Sequence, residues 1–153
     1  MKPLAYVLCM LMGLAGCSSG SPRAPVADDK EAAVTAADER TLRGSSWRLA
    51  DLGGTGVLDG AEATLTFPEA GRIAGNGSCN NFSGRAAIGA GTIRIGPLAS
   101  TKRACPPAVM DQEAKYLRAM EAAQLIAMQG PFLLVYARGM EEPLRFTRQS
   151  SGG

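Results

Sequence analysis

The sequence predicts an α+β domain, a curved antiparallel sheet or open β-barrel of about eight strands packed on one α-helix. Three observations carry this. Apolar residues recur with a period of two, as in Trp47 and Leu49, Leu65 and Phe67, Ile93 and Ile95, and Leu144 and Phe146, which puts each pair on one face of a strand. Turn-forming residues interrupt the chain at short intervals, as an antiparallel meander requires. One segment, after Pro106-Pro107, changes to helical spacing.

The chain opens with Met1-Lys2 and an apolar run over residues 3 to 12, closed by Leu14-Ala15-Gly16-Cys17. This is the layout of a secretory signal, and the run is too short to span a bilayer. Its last four residues resemble the lipobox of bacterial lipoproteins, so residues 1–16 are expected to be removed and Cys17 to be the lipid attachment site. Ser18 follows the pattern of lipoproteins sent to the outer membrane of a Gram-negative host, which predicts a periplasm-facing, lipid-anchored protein of the cell envelope. Residues 17–43 read as a lipidated tether: Ser18 to Pro25 is flexible or extended, and Asp28 to Leu42 is rich in Ala and charge without an apolar stripe.

The globular domain is expected over 44–149, with a disordered tail at 150–153. Its remaining strands are predicted over Arg72 to Gly75, Ser78 to Ile88, Pro97 to Thr101, Gln124 to Gln129 and Phe132 to Ala137, with turns at Asp59-Gly60, Glu69-Ala70-Gly71, Asn76-Gly77, Gly89-Ala90-Gly91, Gln129-Gly130-Pro131 and Gly139. The Asn76-Gly77 step predicts a tight type I′ hairpin that places Cys79 on the outgoing strand. Between the two sets of strands, Ala108 to Ala123 has no Gly or Pro and carries Val109, Met110, Tyr116, Leu117, Met120 and Ala123 at helical spacings. Proline in the first turn and nearby acids suit a helix start. The methionines and the tyrosine read as core rather than as a cofactor box.

Processing leaves Cys79 and Cys105 as an even pair of thiols, because Cys9 lies in the signal and Cys17 bears the lipid. In an oxidising compartment such a pair is expected to form a disulfide, tying strand to strand or strand to helix start. Loss of Lys2 from 16 basic residues leaves 15 against 14 acidic ones, a balance that offers no field for nucleic acid.

With no histidine in the chain, neither a Ser-His-Asp triad nor a Cys-His pair can be built, and zinc lacks its usual ligands. The acids Asp51, Asp59, Glu62, Glu69, Asp111, Glu113, Glu121, Glu141 and Glu142 show no spacing that marks a catalytic pair, so no catalytic residue, metal or cofactor is expected. Alanine at Asp111, Glu113, Glu141 or Glu142 is expected to leave function intact where stability is unchanged. The Gly75 to Gly84 stretch lacks the lysine of a phosphate-binding loop and opens no helix. Asn80, Asn81, Lys102 and Arg103 are the candidate binding surface, since they flank the expected disulfide. The simpler reading, which is preferred, is that the asparagines satisfy turn backbone and the cations are solvated.

The segments Cys79-Asn80-Asn81-Phe82-Ser83-Gly84, Leu98-Ala99-Ser100-Thr101-Lys102-Arg103-Ala104-Cys105 and Leu42-Arg43-Gly44-Ser45-Ser46-Trp47-Arg48-Leu49 together resemble the META domain, the family of the heat-shock lipoprotein HslJ. The likeness spans roughly residues 42 to 148. One departure is Arg103, where the family usually carries methionine two residues before the second cysteine, so local packing is expected to differ there. The resemblance implies a link to heat or envelope stress and to drug tolerance; the chain as a whole is expected to be a non-enzymatic, monomeric envelope protein, held to the membrane by its lipid and meeting an envelope protein partner. A periplasmic inhibitor or binding module of the lysozyme-inhibitor type is the alternative, and a carboxylate-based hydrolase a distant third.

Overall fold

A computed structural model describes residues 32–150. Ten strands and two helices run in the order β1 Val34–Ala36, α1 Glu39–Leu42, β2 Ser46–Leu52, β3 Thr64–Thr66, β4 Arg72–Asn76, β5 Asn81–Gly89, β6 Thr92–Ile95, β7 Ala99–Ser100, α2 Pro107–Glu121, β8 Ala123–Gln129, β9 Phe132–Ala137 and β10 Leu144–Arg148. All pairings are antiparallel. The path β8-β6-β5-β4-β3-β2-β10-β9 closes where β9 returns to β8, from Ala123↔Ala137 to Gln129↔Phe132. Eight strands thus form a closed barrel, which removes the free edges that an open sheet would expose. Two short strands lie outside the ring: β1 on β8, and β7 on β5.

The alternation seen in sequence sets the inside of the barrel. Trp47, Leu65, Ile73, Ile93, Ile126, Leu133, Val135, Leu144 and Phe146 are all buried there. Burial of each large side chain stabilises the fold by roughly 1.5–3 kcal/mol before conformational entropy is subtracted. The Trp47 indole Nε1–H is satisfied too, donating to Ser45 Oγ at 2.7 Å.

Helix α2 begins behind Pro106 and ends at Ala122, whose N–H donates to the Arg118 carbonyl, and β8 starts at the next residue. Its buried face is Gln112, Glu113, Tyr116, Ala119 and Met120, whereas Val109, Met110 and Leu117 are half-buried. The stripe is therefore rotated from the purely apolar one expected, because two polar side chains at its start find buried partners. Tyr116 stands between three strands. Its ring meets Phe82 of β5 edge-on at 5.8 Å and Phe146 of β10 at 6.3 Å, and its hydroxyl donates to the Thr64 carbonyl of β3 at 3.0 Å. Burial pushes the phenol far above its ordinary pKa, so the group stays a donor at any pH the fold survives. Tyr116→Phe removes that bond alone and should cost about 1 kcal/mol, read as a few degrees in the thermal midpoint by near-ultraviolet circular dichroism. An unchanged midpoint would show that the hydroxyl bond contributes nothing net.

Two expectations about boundaries are corrected. The tether was expected to reach residue 43, yet residues 34–42 are folded onto the barrel: Val34–Ala36 pair with Gln129–Ala127, Ala37 and Leu42 enter the core, and Glu39 Oε1 accepts the Gly71 N–H at 2.6 Å. Asp38 starts α1 by accepting the Thr41 N–H and hydroxyl, which hold its carboxyl below the usual carboxylate range; the associated stabilisation is present near neutrality and lost as pH falls through the acid range. Backbone pairing with β8, the Glu39 hydrogen bond and two apolar anchors in a charged segment attach it. The signal, Cys17 and residues up to 31, like residues 151–153, lie outside the described residues.

The second correction concerns Asn76-Gly77. Strands β4 and β5 end their pairing at Asn76↔Asn81, so the connection is the four-residue loop Gly77-Ser78-Cys79-Asn80, with positive φ at Ser78. Cys79 sits in this loop rather than on a strand. The primed two-residue turn falls at Ala90-Gly91, with φ of 48° and 79°, between β5 and β6. The reason for the wider loop lies in α2.

Candidate functional site

Three segments meet at the start of α2: the Gly77–Asn80 loop, the 101–105 stretch and the first turns of the helix. Cys79 and Cys105 form a disulfide with Cα atoms 6.1 Å apart, which joins the loop to the residue before Pro106. Beside it, the Glu113 carboxylate, 5% exposed, accepts the backbone N–H groups of Cys79 at 3.1 Å and Asn80 at 2.6 Å on Oε2, and the Asn80 side-chain amide at 2.8 Å on Oε1. These bonds draw the loop towards the helix. A two-residue turn would leave the carboxylate without those donors. Gly77 is required by the same approach, since a Cβ there would lie 2.8 Å from Glu113 Cγ. Gln112 completes the junction: Oε1 accepts the Leu58 N–H at 2.7 Å, while Nε2 donates to the Ala61 carbonyl and to Ser78 Oγ, both at 2.8 Å.

The four candidate binding residues divide. Asn80 is 2% exposed, and its Oδ1 accepts the Arg103 N–H at 2.7 Å and the Thr101 hydroxyl at 2.9 Å, so its polar atoms are committed within the fold. Asn81 is exposed and accepts from Asn76 Nδ2 at 3.0 Å across the hairpin. Arg103 is exposed at the position noted as a departure from the family, and its Nη2 donates to the Cys79 carbonyl at 2.6 Å. The guanidinium thus reaches the loop backbone in a way a thioether cannot. Lys102 is exposed and makes no side-chain hydrogen bond or ion pair among the described residues. The hollow that Asn80, Lys102 and Arg103 share with Thr101 and Met110 is small, about 250 Å³, and Asn81 does not line it. The junction reads as structural, with Glu113 and Gln112 as its unforeseen members. Their sequence signal was their place three and four residues before Tyr116, on the face that had to be buried.

A larger feature lies elsewhere. A cleft of about 1250 Å³ opens between the second half of α2, strand β6 and the ends of β2, β8 and β9. Its floor contains Leu52, Ile93, Ala119 and Ala123. Around it stand Arg94, Lys115, Arg118 and Arg138, all exposed, and one acid, Glu121, whose Oε1 accepts the Leu98 N–H at 2.9 Å. The ion pairs of the described residues are Arg48 with Glu62 and Arg72 with Glu69, so none of the four cations is paired. They come from three separate stretches of sequence, so no local spacing announced them. Among the described residues no group of three Cys, Asp or Glu side chains is placed to hold a metal ion.

Comparison with known proteins agrees with the fold. A solution structure of a protein from Burkholderia xenovorans is similar over 73% of this chain and 86% of its own, with a TM-score of 0.58 at 24% identity. A second solution structure is similar over 72% of this chain and 94% of its own, with a TM-score of 0.60 at 21% identity. At these identities the likeness shows the fold. No curated protein matches. The family model described as META domain matches residues 40–151, which include the barrel, α2 and both cysteines of the bridge, and on that ground the chain belongs to the META domain family.

Proposed function

We propose that this chain is a non-catalytic, lipid-anchored protein of the bacterial cell envelope, facing the periplasm from the outer membrane and contributing to tolerance of heat, envelope stress and drugs. The observation that carries the reading is the Cys79–Cys105 disulfide, which suits an oxidising compartment, in a chain whose leader ends in Leu14-Ala15-Gly16-Cys17. The state of the carboxylates supports the non-catalytic part. Glu113 is enclosed in the junction, Glu121 and Glu39 accept backbone N–H groups, Asp51 accepts those of Gly54 and Gly56, and Glu62 and Glu69 face arginines. Acids so engaged hold loops in place. The basic cleft favours a second reading, that of a periplasmic binding module, over the carboxylate-based hydrolase.

The test is Cys17→Ala in a strain lacking the chromosomal copy. Wild type should take up labelled palmitate, fractionate with membranes and restore survival at high temperature, because the several acyl chains of a mature lipoprotein anchor firmly where one would not. The variant should incorporate no label and fail to restore survival. Labelled variant, or wild-type protein recovered free in the periplasm, would refute the anchor; full rescue by unanchored protein would detach the stress role from the membrane.

A further inference from the structure

We propose that the cleft beside α2 binds a small organic anion with at least two acidic groups, carboxylate, phosphate or sulfonate, on an apolar body. Two features of the cleft specify that class. Lys115 and Arg118, three residues apart on one helical face, supply positive charge from one wall, and Arg94 and Arg138 supply it from the strand side. Four like charges gathered around one hollow repel each other, and the one acid among them, Glu121, is already engaged by the Leu98 N–H. An anion that meets both walls relieves that repulsion, and guanidinium groups form charge-assisted, bidentate bonds with carboxylate or phosphate.

The floor excludes a bare inorganic ion as the preferred guest. Half-buried Ile95, Ala122 and Met140, lying over the buried Ile93, offer methyl and methylene surface but no hydrogen bond, and about 1250 Å³ is far more than one phosphate fills. A ligand whose apolar body covers this floor while its acids reach the two walls uses everything the cleft presents, which is the usual composition of a small-molecule site. This goes beyond membrane anchoring and does not depend on it.

Naphthalene-1,5-disulfonate has the required form and can be titrated calorimetrically into the full chain held in zwitterionic nanodiscs, with empty discs as the blank. The expected result is saturable binding that weakens at least tenfold in Arg94→Gln/Arg118→Gln and in Lys115→Gln/Arg138→Gln, and weakens as salt is raised. These side chains are exposed and unpaired, so both double variants should keep the parent's thermal midpoint. Equal affinity in both variants would overturn the proposal, as would absence of saturable binding. So would equal binding of uncharged 1,5-dihydroxynaphthalene, which would mean an apolar groove only, or equally effective displacement by inorganic sulfate, which would mean a simple ion site.

Discussion

Glu113→Ala is expected to destabilise the domain by about 3–5 kcal/mol, enough to leave much of the protein unfolded at growth temperature. Three donors converge on this carboxylate, two of them backbone N–H groups in a loop with no alternative acceptor in view. Alanine leaves the two backbone N–H groups without a partner, at about 1–3 kcal/mol each, and leaves the Asn80 amide with the Arg103 carbonyl at 3.3 Å, the loss being partly recovered where water enters the space. Glu113→Gln should be milder, because the amide oxygen still accepts while its NH₂ faces a donor. Urea denaturation of the three proteins tests this: the midpoints should fall in the order parent, Gln, Ala. An alanine variant within about 1 kcal/mol of the parent would show that the loop holds its shape without the carboxylate. This outcome also separates Glu113 from Asp111, Glu141 and Glu142, with which it was grouped on sequence alone, since those three are exposed.

What the sequence made legible was the part governed by alternation. Every period-two pair landed with at least one member in the barrel interior, and β9 was located to the residue because its continuous apolar run, with Leu133, Leu134 and Val135 all buried, is bounded by Gly130-Pro131 and Gly139. The features it hid depend on contacts between distant segments. Closure of the ring rests on β9 pairing with both β10 and β8, and short turns alone do not distinguish that from an open sheet. Asn76-Gly77 carried the strongest local turn signal, but Glu113, more than thirty residues away, claims the N–H groups of Cys79 and Asn80 and imposes a different loop. Residues 34–42 looked solvated because their composition is, although β1 pairs with β8 and Ala37 and Leu42 enter the core. For the site, the cysteine pair was legible by counting, whereas the basic cleft was not, its cations being brought together by the barrel.

Removing the disulfide, as Cys79→Ala/Cys105→Ala or by reduction, is expected to lower stability by about 3–4 kcal/mol. The bridge closes a loop of 26 residues' separation, and in the chain-entropy model that restriction of the unfolded state sets the magnitude. Folded-state geometry argues for a further, local effect. Cys79 belongs to the loop that Glu113 gathers, Arg103 Nη2 donates to the Cys79 carbonyl, and Cys105 directly precedes the Pro106-Pro107 start of α2. Bridge and carboxylate therefore hold the same loop against the same helix, and their losses should not add. With Glu113 intact, the reduced domain should keep its loop and unfold at a lower midpoint. With Glu113→Ala, the bridge is the one covalent tie left beside neutral and Arg103 hydrogen bonds to the loop, so combining the two changes should cost more than the sum of the single ones. Thiol titration of the denatured, unreduced protein checks the premise, since neither Cys79 nor Cys105 should react. A double-cysteine variant as stable as the parent would refute the contribution of the bridge, and strictly additive losses would refute the shared role of bridge and carboxylate.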